Sequence, residues 1–341
     1  MEESRVTLRQ ALDDFLEVCR INKASVHTLR NYGKDLDFFL SWLESAYQLT
    51  HVNELQLKHL RGWIGYLQKY TTRRGENLDD NTVRQYGVHV QVFCHWLEHE
   101  DYIEKPITTK FKLPSVEQKF VPTFTPEEIQ KLLDACDEGA VYRPKVHKAL
   151  TARNRAIVSV LVDTGIRRKE LAGLRLRDID RDMRVLLIHR KGDKWQQVPI
   201  SREGFKPLHE YLTKYRPQLA AVGGRTKAHK DDPVFLTDMG EQLSIVGVSK
   251  LFNRLKKRTG IEDKKVSPHN CRRYMATTQL AMGRSPLDVQ RQMGHTTLQM
   301  TNKYASLSIE HLQRSHEEFS PLRAKHVKDD RGPTGSGYWD E

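Results

Sequence analysis

RVLLIHRKGDKWQQVPI, residues 184–200, holds two short runs of β character around Lys191-Gly192-Asp193-Lys194. The first run is apolar at Val185, Leu186, Leu187 and Ile188, and the second alternates from Trp195 to Ile200. Gly and Asp at the centre favour a tight reversal, so the stretch predicts a β-hairpin. Almost everything around it has helical period instead. The hairpin therefore marks a mixed unit inside a mainly α chain, with a possible further short strand at 233–237.

Upstream of the hairpin, a helix over about 152–163 stops at Gly165, and a short one carries Glu170 and Leu171. Thr125-Pro126-Glu127-Glu128 combines a capping hydroxyl, a proline suited to the first helical position and early carboxylates, so a helix begins there and runs to about Cys136. Downstream of about residue 202 the chain returns to helices.

The first 105 or so residues read as four amphipathic helices, over about 7–21, 25–46, 54–70 and 80–99. Leu36, Phe39, Leu40 and Leu43 recur at the spacing of one helical face, with Phe38 and Trp42 beside them. Trp63, Tyr66 and Leu67, then Val92, Phe93, Trp96 and Leu97, repeat the pattern. Between 104 and 126 the stretch EKPITTKFKLPSVEQKFVPTFTP is proline-punctuated and aperiodic, as a linker would be. The expected organisation is a helical domain over 1–105, a linker over 106–124, a second domain over 125–325 and a flexible polar tail over 326–341.

A chain of 341 residues exceeds what one core ordinarily needs. At 38% hydrophobic and 29% charged residues it is polar yet able to fold. No window approaches the roughly 18 apolar residues of a membrane helix, and the opening MEESRVTLRQ lacks the basic and apolar regions of a signal peptide. Cys19, Cys94, Cys136 and Cys271 are far apart and form no CxxC, which fits reduced thiols and no zinc cluster. The expectation is a cytoplasmic protein that binds no membrane.

Lys and Arg number 56 against 44 Asp and Glu, a net charge of +12 that favours a polyanionic partner. Residues 1–120 hold 16 basic and 17 acidic side chains, whereas 121–341 hold 40 and 27. The surplus belongs to the second part. Basic runs such as Lys256-Lys257-Arg258 and Lys264-Lys265 suit backbone phosphates.

Four segments of that part hold chemistry-bearing residues: Thr164-Gly165-Ile166-Arg167 with Glu170; Arg190-Lys191-Gly192; Pro268-His269-Asn270-Cys271-Arg272-Arg273; and Gly294-His295, followed nine residues later by Tyr304. For a polyanionic partner, guanidinium offers a planar fork that matches two phosphate oxygens and stays charged at any working pH. Gly165 can end a helix in a left-handed turn and aim Arg167 from a fixed position. Glu170 could then orient Arg167 or cap the helix. Ser267-Pro268 looks like a helix start that places His269 and Arg272 on one face, beside amides and a dipole that favour phosphate.

This set, in this order, resembles the tyrosine recombinases, the family of phage integrases and Xer-type chromosome resolution enzymes. The resemblance covers the second domain in full and the first in outline, where Ser25, Thr28, Leu29, Tyr32 and Leu36 look like the family's core-binding helices. It implies a two-domain C-shaped clamp: an N-terminal helical core-binding domain plus an α/β catalytic domain, mainly α with a small β-hairpin or sheet. It makes Tyr304 the nucleophile that forms a 3′-phosphotyrosine; a tyrosine with a pKa near 10 needs help to lose its proton, and His269 is the candidate base. Arg167 and Arg272 would hold the phosphate, and His295 would donate to a non-bridging oxygen. Lys191 would protonate the leaving 5′-oxygen, with Lys194 as its competitor. Arg273, where the family often has histidine, reads as a further phosphate or orienting contact.

The resemblance further implies double-stranded DNA recombination sites as substrate, a homotetramer on DNA from a free monomer or dimer, room for accessory proteins, strand exchange through a Holliday junction, and a prokaryotic, nucleoid-associated setting. No metal, ATP or other cofactor is called for. Polar stretches at about 139–152 and 221–232 lean the expected role toward integration and excision of a mobile element. A helical segment over Ser308 to Phe319 would pack on a neighbouring subunit or at home. The rival readings are a type IB topoisomerase, with the same covalent chemistry but no partner sites, and a DNA-binding protein of the same fold without catalysis. A metal-dependent nuclease would need a carboxylate cluster that the motifs lack.

Overall fold

The computed structural model describes residues 6–73, 75–116, 122–136, 146–190, 193–224, 227–294 and 317. The chain divides into two compact units, Met1–Phe120 and Val121–Glu341.

The first unit is built from α1 (Leu8–Ile21), α2 (Val26–Tyr47), α3 (Leu57–Lys69) and α4 (Asp80–His99). Side chains of Thr7, Ser25 and Asp79 accept from backbone amides in the first turns of α1, α2 and α4, which satisfies donors a helix start leaves open. α3 begins later than its apolar period predicts because Val52–Glu54 forms a separate 3₁₀ turn. Leu36, Phe39, Leu40 and Leu43 of α2 pack with Leu60, Trp63 and Leu67 of α3 and with Val90, Phe93 and Leu97 of α4. Each contributes about 1.5–3 kcal/mol by leaving water. Phe38 and Trp42 flank this core, partly buried.

The proline-punctuated stretch after α4 is bound to this unit through residue 114. Ile107 and Phe111 are buried in the helical core, and Glu98 accepts from the amides of Ile107 (2.6 Å) and Thr108 (2.7 Å). Arg84 Nη1 donates to the Pro114 carbonyl at 2.7 Å. A carboxylate on α4 thus does for this segment what a neighbouring strand would do elsewhere, satisfying amides that have left regular structure.

The second unit opens with α5 (Pro126–Ala135), whose Thr125 and Glu128 form the reciprocal cap legible in the sequence. Glu128 also accepts from Lys264 Nζ at 2.8 Å, both side chains largely buried. Lys264 is therefore engaged by α5, and not free for the backbone phosphates that its basic run suits. α6 (His147–Thr164) starts five residues before the sequence period does, within one of the two polar stretches; the rest of that stretch, 139–145, lies outside the described residues. α7 (Arg168–Gly173) leads into a three-stranded antiparallel sheet of β1 (Ile179–Asp180), β2 (Val185–Arg190) and β3 (Lys194–Pro199), in that order. The β2–β3 register pairs Leu186 with Val198 and Arg190 with Lys194. Leu186, Ile188 and Arg190 face inward, and Leu187 and His189 face out.

α8 (Arg202–Glu210), a π-helical turn over Tyr211–Tyr215, α9 (Arg216–Val222), α10 (Ile245–Thr259), α11 (Pro268–Ala281) and α12 (Pro286–Met293) complete the unit. The stretch at 233–237 forms single bridges, Arg175 with Pro233 and Leu236 with Gln242, instead of a strand. Buried guanidiniums take up its carbonyls: Arg216 serves Pro233 and Val234, and Arg153 serves Leu236 at 2.7 Å. Side-chain donors there replace a sheet partner. Among the described residues no helix is long and apolar enough to cross a membrane.

Candidate active site

Gly165 closes α6 in the left-handed conformation, φ +65°, with its amide on the Leu161 carbonyl at 3.1 Å. The reversal buries Ile166 and makes Arg167 the cap of α7. Glu170 Oε2 accepts from the Arg167 amide at 2.7 Å, and its Oε1 from Arg167 Nη1 at 2.9 Å. The capping and orienting roles left open in the sequence are thus filled together. The Glu170 side chain is only 5% exposed and that of Arg167 is 41% exposed, so a fixed carboxylate holds a guanidinium that still reaches solvent.

At the start of α11, Ser267 Oγ accepts from the Asn270 amide at 3.3 Å and Pro268 occupies the first turn. Arg272 is buried there, donating through Nη1 to the Gly165 carbonyl and through Nη2 to the Met293 carbonyl at 2.7 Å. One guanidinium thereby joins the ends of α6 and α12 to α11. His269, one turn earlier, remains exposed to solvent. Its pKa is nonetheless lowered from the usual histidine value, first by partial desolvation and then by Arg273, Arg272, Lys265 and Arg167. The four cations place His269 in the same electrostatic neighbourhood as both arginines of the sequence motifs. A neutral imidazole beside clustered guanidiniums can accept a proton while they hold an anion.

α12 ends at Gly294, again left-handed at φ +62°. His295 and Tyr304, and Lys191 in the hairpin, lie outside the described residues, as do the tail over 326–341 and, apart from Glu317, the segment Ser308 to Phe319. Lys194 is an exposed β3 residue opposite Arg190. Arg273 is half-buried beside His269. The structure thus brings together Arg167, Glu170, His269, Arg272 and Arg273 among the sequence-derived set. Among the described residues no group of three or more His, Cys, Asp or Glu could hold a metal ion.

Sequence reasoning quoted Arg190 within its Arg190-Lys191-Gly192 segment without giving it a role, and passed over Gln196 and Gln292. Arg190 Nη1 donates to Glu170 Oε2 at 2.8 Å, its Nη2 to the Gln292 carbonyl at 2.7 Å and its Nε to Gln196 Oε1 at 3.1 Å. Gln196 Nε2 in turn donates to the Arg291 carbonyl, and Gln292 Nε2 to that of Thr164 at 3.2 Å. One signal for Arg190 was present. The alternation that turns Leu186 and Ile188 inward turns this cation inward as well.

Comparison with known proteins fits this arrangement. The profile described as the phage integrase family matches residues 122–311, and that of the phage integrase N-terminal SAM-like domain matches residues 12–74. The chain is 26% identical over 315 residues to the tyrosine recombinase XerD of Listeria innocua, which spans 92% of this chain and 99% of that protein. It is 29% identical over 314 residues to the tyrosine recombinase XerC of Oceanobacillus iheyensis, at 91% and 95% coverage. In fold it is similar to the Tn1549 transposon integrase in complex with a circular intermediate DNA, with a TM-score of 0.67, 19% identity, and coverage of 90% of this chain and 99% of that one. XerH recombinase bound to a palindromic difH substrate gives 0.65 at 22% identity, with 92% and 84% covered.

Proposed function

This chain belongs to the phage integrase family and is a tyrosine recombinase, a site-specific DNA recombinase, and we propose that it cuts and rejoins duplex DNA through a covalent bond between Tyr304 and a 3′ phosphate. The observation that carries the reading is the meeting of Arg167, Arg272 and His269 where the end of α6 and the starts of α7 and α11 converge. The Tyr304 oxygen attacks phosphorus, and the bond from phosphorus to the 5′ oxygen breaks. His269 takes the tyrosine proton, and Lys191 gives one to the leaving oxygen, with Lys194 the alternative donor. Arg167, Arg272 and His295 hold the non-bridging oxygens as charge develops. Glu170 keeps Arg167 in place, and Arg273 adds a positive charge beside His269.

The phosphotyrosine retains the energy of the broken bond, so a second 5′ hydroxyl can reverse the step without ATP. Four protomers would exchange strands in pairs at two double-stranded sites, through a Holliday junction. The mobile-element setting rests on the polar stretches at 139–152 and 221–232.

Nicked, end-labelled DNA from the borders of the gene's own genomic segment, incubated with the protein in EDTA, is expected to give an SDS-resistant adduct whose nucleotide maps to the peptide containing Tyr304. Bound DNA without an adduct would instead assign a non-catalytic DNA-binding protein. Relaxation of plasmids that lack these sites, without junctions, would assign the topoisomerase reading. Recombination at a chromosomal site but never at the borders would remove the mobile-element role.

The lowered pKa of His269 sets the sign of a pH effect. As pH rises through that lowered value the imidazole loses its proton and becomes able to accept one, so the second-order rate of adduct formation at subsaturating DNA rises. This rate reports the free protein. Its acid limb is expected below the ordinary histidine value of about 6.5, and to vanish in His269→Gln. A midpoint at or above that value, or a limb retained in the variant, would remove His269 from the base role.

A further inference from the structure

We infer that Arg190 is a positioning residue for the cleavage reaction, fixing the base of the Lys191 hairpin against both the Arg167 turn and the end of α12. The inference rests on the phosphoryl-transfer reading above and names a residue that reading does not use.

Arg190 is the last residue of β2, and Lys191 follows it directly in the chain. The Arg190 side chain is 7% exposed, and each of its three guanidinium nitrogens makes a hydrogen bond to a different segment. Nη1 reaches Glu170, the same carboxylate that holds Arg167 by both amide and guanidinium. Nη2 reaches the Gln292 carbonyl, in the last turn of α12 and three residues before His295 in sequence. That carbonyl sits at the negative end of a helix, where a cation is favoured. Nε reaches Gln196, which makes its own tie from β3 to the Arg291 carbonyl.

Both strands of the hairpin are therefore fastened to the end of α12. Gly294 completes the seat. A Cβ on this left-handed residue would lie 2.9 Å from Arg190 Nε and 3.0 Å from Cζ, so only a glycine leaves the guanidinium its place.

A buried arginine needs its charge and its donors satisfied, which the Leu236 carbonyl and the neighbouring Asn154 side chain do for Arg153. Arg190 shares its carboxylate with Arg167 and divides its other donors between β3 and α12. Each tie leads to a segment carrying a group proposed to meet the scissile phosphate. Misplacement of one such group by an ångström can cost a hundredfold in rate.

The test compares full-length wild type, Arg190→Gln, Arg190→Lys, Lys191→Ala and the Arg190→Gln/Lys191→Ala double variant in single-turnover cleavage of nicked DNA. Each is assayed on the ordinary phosphodiester and on one whose bridging 5′ oxygen is sulfur, a leaving group that departs without a proton. At a temperature where it is folded, Arg190→Gln is expected to cut the ordinary substrate about 100-fold more slowly and the sulfur substrate about 10-fold more slowly, with DNA affinity near wild type and a lowered melting temperature because Glu170 loses a buried partner. Arg190→Lys falls between wild type and Arg190→Gln. The double variant is expected to be about 10-fold slower than Lys191→Ala, the part of the Arg190 effect that does not pass through Lys191, and not about 100-fold slower.

Equal slowing on both substrates, additivity in the double variant, or wild-type rates in Arg190→Gln would overturn the inference. If Arg190→Gln does not fold, Gln196→Ala removes one partner of Arg190, leaves its ion pair, and is read by the same ratio of substrates. A wild type without adduct, or a Lys191→Ala variant that sulfur does not rescue, would instead count against the parent reading.

Discussion

Arg272→Ala is expected to lower the rate of covalent adduct formation by about three to five orders of magnitude, the range seen when a phosphate-stabilising arginine is removed from a phosphoryl-transfer site. Arg272 is a buried cation whose donors include those to the Gly165 and Met293 carbonyls. Its removal takes away a positive charge that a phosphate would meet and leaves two carbonyls short of a donor, at about 1–3 kcal/mol each. Arg272→Lys keeps the charge but cannot span both carbonyls with a planar fork, so a loss of about a hundredfold or more is expected there too. Single-turnover adduct formation at a temperature where each variant is folded is the measurement. A loss below tenfold in Arg272→Ala would remove this residue from the reaction.

Gly165→Ala is expected to damage stability and activity together. At φ +65° a side chain costs about 1–2 kcal/mol. The new Cβ would overlap Met275 Cε, and Met275 is buried in a small cluster with Ala276, Leu280, Val289 and Met293. Displacing it adds about 1–3 kcal/mol. The sum corresponds to a melting temperature lower by about 5–15 °C for a unit of this size. Because the Gly165 carbonyl holds Arg272 and Arg167 follows two residues later, adduct formation in the folded fraction is expected to fall by about a hundredfold. Calorimetry and the adduct assay on the same preparation check both. A variant that melts and cleaves like the wild type would show that the turn is not a fixed mount.

What the sequence disclosed about this site follows from what is local in it. Thr125-Pro126, Ser267-Pro268 and the Thr164-Gly165 stop declare themselves because caps and left-handed turns depend on one or two residues. The inward face of β2 and the buried stripes of α2 and α3 declare themselves through period. What stayed hidden depends on contacts between distant segments. Arg190 and Gln292 are 102 residues apart, and nothing near either one announces a bond between them. Lys264 looked like one more surface cation until Glu128, 136 residues earlier, closed on it. Residues 106–114 read as a linker because prolines abolish period, although Ile107 and Phe111 are core residues held by Glu98. The stretch at 233–237 has strand composition, but its carbonyls at 233, 234 and 236 are taken by arginine side chains, and no composition rule anticipates that.

The anchoring of Arg272 also bears on how such a site can change over generations. Its two described supports are backbone carbonyls, at Gly165 and Met293, and a carbonyl is offered by every amino acid. Substitution at position 293 keeps the support as long as α12 ends where it does, so drift there is limited only to side chains that fill the same buried cluster. Position 165 has no such freedom, because its left-handed geometry and crowded approach to Met275 restrict it to glycine. The same guanidinium is thus tethered on one side to a position open to exchange among apolar residues and on the other to one that is frozen, and inherited variation in this pocket should enter by way of α12.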